Sequence, residues 1–233
     1  MRYMFGGDYS SSGFTTLDLT GFDTSNATDM SHMFDGLAEL TTLNISSFDT
    51  SNVTSMNYMF GDCNSLTDII FGDDFDTSNV TDMSYMFAYC NVLQELDLSR
   101  FNIKNVTNMS HMFAVCRELT TLILGDNFDT SIVEDMSYMF LANYTLSSLD
   151  ISNFDTTNVT DVSGMFASCF ILNTSLKIKG SNIKNYSGIF NSAANTGGGK
   201  ITLYSDGTNA NLVQTMVNTK TGSSNIVYGG VSS

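Results

Sequence analysis

Apolar residues in this chain recur in fixed columns rather than in isolated amphipathic stretches. One full unit reads Leu40-Thr-Thr-Leu43-Asn-Ile45-Ser-Ser-Phe48-Asp-Thr-Ser-Asn-Val53-Thr-Ser-Met56-Asn-Tyr-Met59-Phe60-Gly-Asp-Cys63. Phe22, Phe48, Phe75, Phe101, Phe128 and Phe154 fill one column. Ala27, Val53, Val80, Val106, Val133 and Val159 fill a second, and Met30, Met56, Met83, Met109, Met136 and Val162 a third. The dipeptide Met-Phe begins at Met4, Met33, Met59, Met86, Met112, Met139 and Met165, and Ile189-Phe190 is an eighth copy. The steps between copies are 29, 26, 27, 26, 27, 26 and 24 residues. Self-similarity at such a period marks a stack of units, none of which can bury its apolar face alone.

Within a unit, Leu-x-Leu alternates with period 2 and predicts a short strand. Val-x-x-Met-x-x-Met-Phe suits a helical turn, or a second short strand followed by a turn at Met-Phe. The second reading is preferred. Adjacent units then lie ~4.8 Å apart, and eight of them span roughly 35 Å. The extra residue of the longer step falls in a corner, where Gly72-Asp73-Asp74 and Gly125-Asp126-Asn127 replace Ser46-Ser47 and Ser99-Arg100. The units therefore form a weak double period. After Cys169 the regularity fails. Gly197-Gly198-Gly199 marks a turn, Lys200 to Tyr204 reads as a strand, Asn209 to Val217 has helical spacing, and Asn225 to Tyr228 reads as a last strand.

Composition narrows the function classes. Net charge is −15 with only 9 basic residues, which disfavours nucleic acid and anionic membrane surfaces. No apolar run approaches the ~20 residues that span a bilayer. Proline is absent, so Gly, Asn, Asp and Ser must make the turns. Low charge density (14%) and abundant small polar residues point to an extracellular setting. Met1 to Phe5 begin inside a unit, which reads as a piece of a longer chain. There is no Gly-rich phosphate loop and no paired His, so the chain is expected not to be an enzyme and to need no cofactor.

Leu-x-x-Leu-x-Leu followed by Val-Thr-x-Met-x-x-Met-Phe-x-x-Cys, over residues 14–190, resembles the BspA-like leucine-rich-repeat surface proteins of bacteria and some protists. Their commoner unit carries Ala-Phe-x-x-Cys where this chain has Met-Phe-x-x-Cys. The resemblance implies a curved solenoid with a parallel sheet on its concave face and a surface, adhesive or partner-binding role. The expected fold is a repeat solenoid, a leucine-rich-repeat-like right-handed stack of about eight 26/27-residue rungs with a parallel sheet on one face. Residues 1–190 form the solenoid, its first rung truncated, and residues 191–233 a small α/β C-terminal cap.

Candidate sites are columns. Cys63, Cys90, Cys116 and Cys169 share one column with Leu37 and Asn143, which reads as buried thiols rather than disulfides or metal ligands. Asp73, Asp74 and Asp76 are the richest acidic cluster and weak calcium candidates. In the acidic columns Asn102, Ser55 and Asn108 replace Asp, as turn chemistry allows. His32, Tyr58, Tyr85, His111 and Tyr138 form an aromatic column expected to face outward, either as a partner-gripping ladder or as a cover over the core. Outward strand positions vary from rung to rung. Asp68, Ile70, Glu95, Asp97, Thr121, Ile123 and Asp150 are the strand-face candidates for partner binding, favouring a basic or hydroxyl-rich partner. Threonine columns (Thr24, Thr50, Thr77, Thr130, Thr156; and Thr28, Thr54, Thr81, Thr107, Thr160) leave an ice-binding solenoid as a remote alternative. Sequons at Asn52, Asn79 and Asn105 are by-products of the repeat. The expected function is a noncatalytic, monomeric cell-surface or secreted module that binds a host or neighbouring-cell protein or glycan. The rival reading is a spacer or stalk with no ligand of its own.

Overall fold

The computed structural model describes residues 1–6, 13–222 and 224–232. Residues 7–12 of the expected solenoid, and 223 and 233 of the expected cap, lie outside the described residues.

The Met-x-x-Met-Phe segments form the continuous part of the stack. Every second N–H donates to the next rung: Met30 to Ser55, His32 to Asn57, Phe34 to Met59 and Gly36 to Gly61, at 2.8–3.0 Å. The pattern repeats from Met56, Met83, Met109, Met136 and Val162. Return bonds such as Thr54 N–H to Thr28 C=O complete parallel bridges through Asp29, Ser55, Asp82, Asn108, Asp135, Asp161 and Asn185. Tyr3 and Phe5 donate to Ser31 and Met33 in the same way, so the first residues add a partial rung. The chain is thus a β-solenoid of about seven turns. The second short strand of the preferred sequence reading is reduced to a one-residue bridge, followed by the expected turn, and these segments hold no helix among the described residues. The turn needs a left-handed residue just before Met-Phe. His32, Tyr58, Tyr85, His111 and Tyr138 take φ of 54–58° there, and Gly164 and Gly188 take 59° and 63°. The steric cost of this conformation is ~1–2 kcal/mol for a residue with a Cβ, and it is offset by the ladder the turn permits.

The leucine side is not one sheet. β1 (Thr42–Ile45) pairs with β2 (Asp68–Phe71) in parallel, Thr42 opposite Asp68 and Ile45 opposite Phe71. β3 (Glu95–Asp97) pairs with β4 (Thr121–Ile123). These are two separate two-stranded sheets. The double period accounts for the pairing. Each pair ends on the corner glycine of its longer rung, which presses on the shorter rung before it. A Cβ on Gly72 would lie 1.9 Å from Ser46 O, and one on Gly125 2.5 Å from Ser99 Cα.

Every Phe of the dipeptide from Phe34 to Phe190 is fully buried. Their rings, with Phe5, stack along the axis with centroids 5.3–6.3 Å apart and planes within 16°, an offset arrangement that their quadrupoles favour. At the far end β5 (Asn173–Ile178), β6 (Lys200–Ser205) and β7 (Ile226–Val231) form a three-stranded parallel sheet. Between β6 and β7, α1 (Ala210–Asn218) buries Val213, Met216 and Val217. The two late strands and the helix fall where spacing places them.

Candidate functional site

Most polar columns are occupied with holding the stack. Thr24, Thr50, Thr77, Thr130 and Thr156 are buried. The Thr77 hydroxyl donates to Asn102 C=O (3.0 Å) and accepts from Asn102 N–H (2.8 Å), a two-bond clip onto the next rung. Thr24 and Thr130 clip Asp49 and Asp155 likewise. This corrects the picture of a threonine array facing solvent: half of the threonines named for it are interior. Asn52, Asn79, Asn105 and Asn158 donate their amides to the previous rung's Ser25, Ser51, Ser78 and Ser131 carbonyls at 2.7–2.9 Å. The sequon asparagines are therefore a structural ladder that sequence reasoning missed.

The four cysteines are free and buried. Each S–H donates to the carbonyl of the preceding rung's Phe: Cys63 to Phe34, Cys90 to Phe60, Cys116 to Phe87 and Cys169 to Phe140, at 2.9–3.3 Å. Asn143 fills the same place by donating to Phe113 C=O at 3.0 Å. The column thus selects a small donor rather than only an apolar filler, which explains an otherwise odd buried Asn. Burial pushes the Cys116 and Cys169 thiols up to about 12.

The aromatic column does not present free ring faces. Tyr3, His32, Tyr58, Tyr85, His111 and Tyr138 stack on one another, centroids 4.2–4.8 Å apart. All from His32 to Tyr138 are half-buried. Their faces are consumed by the ladder, so the outward-facing expectation is corrected to edges only. His32 Nδ1 contacts Asp35 Oδ2 at 2.7 Å. Desolvation lowers the His111 pKa from its ordinary value, opposed by the Asp135 charge.

The acidic columns cap turns. Asp23, Asp49 and Asp76 each accept the N–H two residues on, at 2.8–3.0 Å, and Asn102 accepts Lys104 N–H at 3.2 Å. Of the calcium candidates, Asp76 is engaged with Ser78 and Asp73 with Arg100, leaving Asp74 alone. Among the described residues no group of three His, Cys, Asp or Glu side chains converges enough to hold a metal.

The strand-face candidates are all exposed. Register sets Glu95 beside Thr121 and Asp97 beside Ile123, while Asp68 and Ile70 belong to the other strand pair, opposite Thr42 and Asn44. Ile70 and Ile123 are 42% and 47% exposed. Asp97 and Asp150 spend one carboxylate oxygen on the N–H of Ser99 (2.8 Å) and Ser152 (3.0 Å). Those bonds, from hydroxyl and N–H together, hold both carboxyls below the ordinary range. No hydrogen bond within the described residues engages the Asp68 or Glu95 carboxylates, so these are free to meet another molecule. Beside Ile123 lies a recess of about 370 Å³ lined by Gly125, Asp126, Asp150, Ser152 and Asn153. One strand pair earlier, the Arg100 guanidinium reaches back to Gly72 C=O (3.0 Å) and Asp73 Oδ1 (2.9 Å).

A fold built from short stacked turns, with parallel strand pairs on one side, defines a repeat-solenoid protein. The chain belongs to the family described as Mycoplasma protein of unknown function, DUF285, whose model matches residues 1–120 and again 92–201. No curated protein and no solved structure matches it. No helix among the described residues is long and apolar enough to cross a membrane.

Proposed function

We propose that the chain is a noncatalytic, extracellular surface repeat of the BspA-like, leucine-rich-repeat kind, and that its strand face captures a protein or glycan of a host or neighbouring cell. One observation carries this reading. Thr, Asn, Cys and aromatic columns elsewhere are committed to neighbouring rungs and the Asp columns to their own turns, whereas Asp68, Ile70, Glu95, Thr121 and Ile123 are exposed and varied. Variation on a frame this regular is what recognition needs, and the acidic centre suits a basic or hydroxyl-rich partner. The module acts as a monomer in this reading.

The test is an array of proteins and glycans probed with the soluble chain and with Asp68→Lys/Glu95→Lys. These two residues cap no turn, so their replacement leaves the fold intact. Capture lost in the variant supports the face; capture retained removes it. A blank array favours the spacer reading, which the unbroken bridge ladder from Asp29 to Asn185 would suit as a rod.

A further inference from the structure

The double period carries a second consequence. Gly125, Asp126 and Asn153 stand 53 positions after Gly72, Asp73 and Arg100. A turn with the same hydrogen bond closes both corners, Phe75 N–H donating to Gly72 C=O (3.3 Å) and Phe128 N–H to Gly125 C=O (3.4 Å), although only Gly125 takes a left-handed φ, of +76°. Each corner lies at a seam where one strand pair ends and the next rung adds no strand to it among the described residues. At the first seam a guanidinium from within the chain binds the corner carbonyl and the neighbouring carboxylate. At the second seam the arginine is replaced by Asn153, which is too short to reach across. A recess remains, walled by Asp126, Asp150 and the exposed flank of Ile123.

We infer that this recess receives a guanidinium group from a partner, an arginine side chain of a peptide segment. Gly125 C=O and the Asp126 carboxylate accept its N–H groups, as Gly72 and Asp73 do for Arg100. Asp150 also lines the recess, its second carboxylate oxygen is without a hydrogen-bond partner among the described residues, and Ile123 covers the aliphatic stem. Arginine fits better than lysine because a planar fork can reach a carbonyl and a carboxylate at once, where an ammonium is a point charge. The pair at Arg100 is largely solvent-exposed, so a lone arginine binds weakly and acts as a specificity element within a longer segment.

This inference rests on the strand face meeting a partner, and it names the chemistry accepted at one end of that face. The test titrates end-blocked Gly-Arg-Gly into isotope-labelled protein and follows the amide signals of Gly125, Asp126 and Asn153 by NMR. The citrulline peptide, of the same shape without charge, is the control. The arginine peptide moves those signals and the citrulline peptide does not. Asn153→Arg supplies the group in cis and abolishes the response, while Arg100→Asn opens a second responding set at Gly72 and Asp73. Equal response to both peptides, an unaltered response in Asn153→Arg, or no response at all overturns the inference. A blank array with a positive titration instead removes surface capture and keeps the pocket.

Discussion

Replacing Thr77 with Val isolates the threonine clip. Thr77 is 2% exposed, and its hydroxyl makes two bonds to the Asn102 backbone at 3.0 and 2.8 Å. Valine has the same shape, and the column already tolerates a larger branched residue at Ile103, so packing is preserved. The variant leaves one N–H and one C=O of a partly covered peptide without partners, at ~1–3 kcal/mol for each buried group. Because Asn102 is only half-buried, the lower end applies, and the total is about 2 kcal/mol. For a chain of this size that lowers Tm by roughly 4–8 °C. The assay is thermal unfolding followed by circular dichroism, with Thr77→Ser as the rescue that keeps the hydroxyl. The reverse change, Ile103→Thr, offers a hydroxyl worth ~0.5–1.5 kcal/mol to the next rung but removes buried apolar volume at a fully buried position, at a comparable cost, so it should bring no net gain. A Tm within 1–2 °C of the parent for Thr77→Val, or an equal loss in Thr77→Ser, would refute the clip.

Other consequences follow from the same geometry. In the native protein at pH 8 a disulfide-exchange reagent should modify none of the four buried thiols, and all four after unfolding. The thiol contribution to stability is present below the unfolded value of ~8.5. It drains away as pH rises towards the folded values of about 12 at Cys116 and Cys169. A thiol reacting rapidly in folded protein contradicts the hydrogen-bonded column. At the acid end, Asp18, Asp23, Asp49, Asp97 and Asp150 are lowered by bonds from the hydroxyl and N–H two residues on. Their contribution is complete above the unfolded carboxylate value of ~3.9 and is lost as pH falls through the depressed folded values. Tm should therefore fall below about pH 4, less steeply in Ser51→Ala; an unchanged slope would show the turn caps to be incidental. Gly125→Ala combines a φ of +76° with a Cβ 2.5 Å from Ser99 Cα, whereas Gly21→Ala meets the same φ in open space. The Gly21 change should cost ~1 kcal/mol, and the Gly125 change clearly more in the same melting experiment; equal costs would deny the close approach of the corner.

The period, the apolar columns and the buried state of the cysteines were legible in the sequence because each repeats as a residue type at one spacing. The late strands and helix were legible for a similar reason, in local periodicity such as Leu212, Val213 and Met216. Contacts between rungs were not. The thiol donor role needs the neighbouring Phe carbonyl, although Asn143 in a Leu/Cys column was a signal that the position favours a donor. The left-handed turn residue was signalled by Gly164 and Gly188 in the His/Tyr column, since glycine takes that conformation freely. The splitting of the strand side into pairs was foreshadowed by the 26/27 alternation, but only the approach of Gly72 to Ser46 explains it. At the candidate site, sequence separated varying from fixed positions. It did not separate Asp97 and Asp150, which bond the N–H two residues on where the chain turns, from Asp68 and Glu95, which stand at the start of extended strands.

In the proposed function the strand face with its bordering corner recess, and not the aromatic or threonine columns, meets the partner. The most direct measurement compares array capture by the parent chain, by Asp68→Lys/Glu95→Lys, and by Thr81→Lys/Thr160→Lys, which places two lysines in the exposed threonine column. The strand-face pair should lose capture and the threonine pair retain it; loss in the threonine pair with retention in the strand-face pair would overturn the assignment.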